Sequence, residues 1–104
     1  MYKVINFSIN GKDYTIYDTP IIEGKDSYIG ETNYEKGIIL IEYGTIPEMM
    51  TTVRHELAHV WLYEHGHSYQ AGGCFTYEDL CEYIALSNRF VYEISENYRI
   101  AKDW

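Results

Sequence analysis

The chain has 104 residues, a formal net charge of −8, 46% hydrophobic residues and 12 tyrosines. That is the length of one domain with a modest core and the composition of a globular protein, not of a disordered one. So acidic a balance argues against nucleic acid as a partner, because phosphate binding calls for clustered Lys and Arg. No apolar run approaches the roughly 18 residues of a membrane helix, so a membrane is not expected as a partner either.

The first residues, Met1 to Phe7, lack the apolar stretch of a signal peptide. Cys74 and Cys81 fit neither C-x-x-C nor a disulfide framework. They read as thiols in a reducing cytoplasm, with Cys81 buried on a helix.

Residues 2–9 alternate loosely through Tyr2, Val4, Ile5, Phe7 and Ile9. Asn10-Gly11 then predicts a hairpin, with residues 13–18 as the return strand. Thr19-Pro20 ends that strand, since proline has no N–H for a ladder. Residues 21–26 read as a loop, and 27–33 as a weaker, polar edge strand. Ile38-Ile39-Leu40-Ile41 is the most apolar run and predicts a central strand buried on both faces.

Thr45-Ile46-Pro47-Glu48 has the form of a capping box. It opens a helix over about 46–65 that Gly66 closes, with Met49, Met50, Val53, Leu57 and Val60 expected to face the sheet. Residues 66–75 read as a loop. Thr76 then caps a second helix running to about residue 98, with Leu80, Ile84, Ser87/Asn88, Val91 and Ile94 at helical spacing. Residues 99–104 read as a frayed tail ending in an exposed Trp104. The fold class expected is α+β: a small, mostly antiparallel N-terminal sheet packed on two helices.

Within the first helix lies His55-Glu56-Leu57-Ala58-His59, one copy of H-E-x-x-H. Histidines four apart share one helix face, so two imidazole nitrogens can meet one Zn²⁺. Glu56 sits about 100° around the helix, within reach of the water that the metal would acidify. Neutral imidazoles suit the ion, and a carboxylate suits the proton.

A catalytic zinc takes three protein ligands and leaves one position for water. The candidates for the third are His65, His67, Glu78, Asp79 and Glu82. His65 is ten residues beyond His55, about 15 Å along the same helix axis. His67 follows the helix end too closely to fold back. His65 also stands six residues after His59, the metzincin spacing, but Leu62 occupies the midway position where that pattern has glycine. The carboxylates remain. Glu78 and Glu82 are four apart on one helical face. One can bind the metal while the other accepts the N–H of a ligating histidine, and Glu78 is the preferred ligand with Glu82 as orienter. A second electrophile for the oxyanion would come from Tyr63, Tyr69, His65 or His67, with none singled out.

His55-Glu56-Leu57-Ala58-His59 followed by Tyr77-Glu78-Asp79-Leu80-Cys81-Glu82 resembles the gluzincin pattern of H-E-x-x-H and a downstream E-x-x-x-D helix. The sheet before the helix and the small size look most like the minimal gluzincins of the selecase and proabylysin type. They are also similar to the ImmA/IrrE-type metallopeptidase domains of phages and mobile elements. The resemblance covers roughly residues 27–95, and Glu82 stands where the pattern has aspartate. It implies zinc held by His55, His59 and Glu78, with Glu56 as general base and acid of peptide hydrolysis. It also implies a peptide or protein substrate pairing with the edge strand near 28–32. Two alternatives go with it. One is an autoinhibited protein with residues 99–104 in its own cleft. The other is a zinc-bound interaction module without turnover.

Overall fold

The computed structural model describes residues 1–20, 22, 29–66 and 77–104, with positions 77–79 described through their backbone alone. The elements are β1 (Tyr2–Ile9), β2 (Lys12–Thr19), β3 (Gly30–Asn33), β4 (Ile38–Glu42), α1 (Ile46–Glu64), α2 (Tyr77–Ser87) and α3 (Arg89–Ala101). The sheet order is β1-β2-β4-β3. β1–β2 and β3–β4 are antiparallel, and β2–β4 is parallel. The class is α+β, as expected.

Asn10 (φ 50°) and Gly11 (φ 79°) turn the hairpin, the two left-handed positions that a two-residue turn needs. The doubled Val4-Ile5 that loosens the alternation of β1 marks a register shift between Lys3 and Ile5. From there Phe7 pairs with Tyr14 and their rings stack at 5.4 Å.

β4 departs from the expectation. Ile39 and Ile41 are fully buried, but Ile38 and Leu40 are only half-buried. The buried side chains of the strands alternate onto one face, and the helices pack against that face. β3 is the edge strand, with Gly30 opposite Ile41 and Thr32 opposite Ile39. Directly opposed residues share a face, so Gly30 and Thr32 lie on the helix side. Positions 27 and 28, expected at the start of this strand, lie outside the described residues, as do the Thr76 cap and all of the loop expected at 21–26 except Ile22.

The capping box of α1 forms as written. Thr45 Oγ1 accepts from the Glu48 amide at 3.3 Å, and Glu48 Oε1 accepts from the Thr45 amide at 3.1 Å. The Thr45 hydroxyl also donates to Glu48 Oε1 at 2.6 Å, and that bond first, then the one from the Thr45 amide, holds the exposed Glu48 carboxyl below its usual range. Met49, Met50, Val53, Leu57 and Val60 are all buried, joined by Thr52, Ala58 and Leu62.

The second helix is not continuous. It ends at Ser87, and Asn88 (φ −86°, ψ 130°) starts α3 by accepting from the Val91 amide at 3.1 Å. Asparagine is a strong cap and a poor interior helix residue, so Asn88 ends one helix and starts the next. Of the expected stripe Ile84 and Val91 are buried and Ile94 half-buried, but Leu80 is 38% exposed and the fully buried Cys81 takes the inward place beside it. α2 packs on α1 and α3, and α3 also reaches β1.

The tail is docked, not frayed. α3 continues to Ala101, and Trp104 sits half-buried with its ring edge-on to Tyr98 at 6.0 Å. Arg99 donates to the Trp104 carbonyl. Lys102 pairs with Asp18, which is fully buried at the inner face of β2. Tyr98 donates to the same carboxylate at 2.7 Å. Burial first, and then that bond, push the Tyr98 phenol up.

Candidate metal centre

α1 carries His55 and His59 one turn apart, and their inner nitrogens converge, Nε2 to Nε2, at 3.0 Å. The rings lie nearly perpendicular, at 77°, with centroids 4.7 Å apart. Zinc–nitrogen bonds of about 2.0–2.1 Å at a tetrahedral angle would set the nitrogens about 3.3 Å apart. A small rotamer adjustment opens the pair to that bite. Glu56 completes the group: one donor atom from each of His55, Glu56 and His59 lies within 4.8 Å of the others, and the three can hold a metal ion.

The outer nitrogens have partners as well. Glu82 Oε1 stands 3.0 Å from His55 Nδ1, and Cys81 Sγ stands 3.4 Å from His59 Nδ1. Both come from α2, one residue apart. Glu78 lies one turn earlier on α2, on the same face by position. Its side chain and that of Asp79 lie outside the described residues, as do His67 and Tyr69. His65 is turned to other work. It stacks on Trp61 at 4.0 Å and donates from Nδ1 to the Trp61 carbonyl at 2.7 Å.

Glu56 is buried to 7% exposure against β3. Thr32 Oγ1 donates to Glu56 Oε1 at 2.7 Å. Gly30 lets the strand come that close. A Cβ there would stand 2.6 Å from Thr52 Cγ2 and 3.0 Å from Glu56 Cγ, so a side chain would displace Thr52, Glu56 or the strand itself. The result is an open cleft of about 580 Å³ whose walls include Gly30, Thr32 and Tyr34 on one side and His55, Glu56 and His59 on the other.

Comparisons with protein-family models, with curated proteins and with solved structures returned no match.

The site therefore rests on its geometry. Three contributors were not singled out from the sequence: Thr32, Cys81 and Tyr34. Thr32 sits in a strand whose pairing decides which face it shows, and one sequence does not give that pairing. Cys81 was expected to be buried on a helix, and it is, but its place beside His59 depends on how α2 crosses α1. Tyr34 lines the cleft and stacks on Tyr63 at 4.2 Å, two of many tyrosines with nothing local to distinguish them. Among the described residues, none of 99–104 lines the cleft, so the docked tail does not occupy it. No helix among the described residues is long and apolar enough to cross a membrane.

Proposed function

We propose that this protein is a zinc-dependent peptidase of the gluzincin type. His55, His59 and Glu78 would hold the ion, Glu82 would orient His55, and Glu56 would serve as general base and acid. The observation that carries the reading is the convergence of two imidazole nitrogens beside a buried carboxylate, in an open cleft bounded by an edge strand. Two histidines and a carboxylate suit zinc among the divalent ions.

Bound zinc supplies Lewis acidity, acidifying a water toward neutrality and polarising a scissile carbonyl. The rest falls to the chain. Glu56 takes a proton from the attacking water and later passes it to the leaving amine. Thr32 holds one oxygen of that carboxylate at the cleft wall. Among the described residues β3 pairs with β4 on one side only, and its outer edge would offer backbone donors and acceptors to an extended peptide. Burial of Glu56 against the strand would bring the base beside the peptide bond of a substrate paired there.

The test joins metal analysis and turnover. One zinc per wild-type chain is expected, with marked loss in His59→Ala and in Glu78→Ala. Hydrolysis of a fluorogenic peptide library by the wild type is expected to fall about 10²–10⁴-fold in Glu56→Gln, which should keep its zinc. No zinc after reconstitution, or undiminished turnover in Glu56→Gln, would overturn the reading.

A further inference from the structure

A histidine that gives Nε2 to a metal must carry its proton on Nδ1, and that N–H needs an acceptor to hold the ring. Two ligating histidines need two acceptors. Here adjacent residues of one helix face both. Glu82 Oε1 meets His55 Nδ1 at 3.0 Å, and Cys81 Sγ meets His59 Nδ1 at 3.4 Å. Consecutive side chains on a helix diverge by about 100°, so neighbours can reach two different rings, and here the two imidazole planes lie 77° apart. One dipeptide of α2 can therefore serve two nearly perpendicular rings.

We propose that Cys81 is a positioning residue of the metal centre: its sulfur accepts the Nδ1–H of His59 and so fixes the tautomer that leaves Nε2 for the ion. The inference rests on the zinc-site reading above and adds a residue to it. Cys81 does not point toward the space between the Nε2 atoms. It meets His59 on the far side of the ring, so it orients the ligand without being one.

The two acceptors differ in kind. Glu82 is a carboxylate with its side chain 60% exposed, in a place water can fill if the carboxylate is lost. Cys81 is fully buried, where water does not stand in readily. Its thiol is also the weaker acceptor, so His59 is held by position more than by charge. A purely apolar side chain would fill the same volume and leave this N–H without its sulfur acceptor.

The experiment compares wild type with Cys81→Val, which keeps the volume and removes the acceptor, and with Cys81→Ser, which restores one. Zinc affinity is measured by competition with a chromophoric chelator. The Nδ1–H of His59 is read separately by proton and nitrogen NMR of the zinc-loaded protein labelled at histidine, through its chemical shift and its exchange with water, after a thermal melt establishes that each variant is folded. Cys81→Val is expected to bind zinc about 10- to 100-fold more weakly and to exchange that proton faster, with Cys81→Ser recovering much of both. Cys81→Val with wild-type affinity and an unchanged Nδ1–H signal would overturn the proposal and leave Cys81 as packing. If Cys81→Val does not fold, the same two readings on Cys81→Ser and Cys81→Ala decide. A wild type that takes up no zinc would sink the peptidase reading and this proposal with it, whereas a zinc-loaded wild type matched by Cys81→Val would sink this proposal alone.

Discussion

Glu56 and Asp18 are both carboxylates carried into the interior, and their surroundings differ. Asp18 is wholly buried, with the Lys102 ammonium on one oxygen and the Tyr98 hydroxyl on the other. Its charge is matched and its oxygens are pinned, which is what an element of architecture requires. Glu56 takes a neutral hydroxyl from Thr32 and lies within reach of two imidazoles at the wall of an open cleft. A carboxylate held by a neutral donor and left facing a cleft can still exchange a proton. Burial alone does not separate structure from chemistry in this chain. The partners and the view of solvent do.

That contrast can be broken by substitution. The largest effect is expected at Glu56→Gln: turnover falls by about 10³, roughly 4 kcal/mol of barrier, while the melting temperature and zinc content hold. Next comes Lys102→Met, which leaves the Asp18 carboxylate buried without its cation. Chemical denaturation should show a loss of about 3 kcal/mol, with zinc uptake unchanged. A loss of turnover with intact stability in Lys102→Met would erase the distinction. Thr32→Val is smaller, a fall of about tenfold in kcat with zinc retained, which kinetics on the variant would show.

The smallest effect is with pH. Burial, followed by their bonds to Glu64 and Asp18, raises the phenols of Tyr14 and Tyr98. A raised folded-state pKa means the native chain holds those protons more tightly than the unfolded one. The stabilisation is therefore full below the ordinary tyrosine pKa of about 10 and is lost as pH rises above it. Melts across that range should decline on the alkaline side, and Tyr98→Phe should soften the decline.

Local signals carried much of this fold. Thr45 and Glu48 announce the start of α1, and Asn10-Gly11 the hairpin. Each is decided by residues a few positions apart, and so is the spacing that brings His55 and His59 together. What the sequence hid depends on distant partners. The parallel pairing of β2 with β4 puts Asp18 beside Ile41, and nothing near Asp18 reveals that Lys102 and Tyr98 will meet it. The docked tail follows from the same meeting. The break at Asn88 was legible in principle, since Ser87 and Asn88 interrupt an otherwise apolar stripe, but helical spacing alone reads through them.

The break has a mechanical consequence. A helix unbroken from Tyr77 to Ala101 would be a rod about 37 Å long at 1.5 Å per residue, pinned at its far end where Lys102 meets Asp18. Any strain at that anchor would pass down the rod to Glu82 and Cys81. The cap at Asn88 interrupts the ladder between them. The short segment that faces the histidines is then seated by side-chain packing on α1 and α3, and no continuous backbone ladder ties its pitch to the distant anchor.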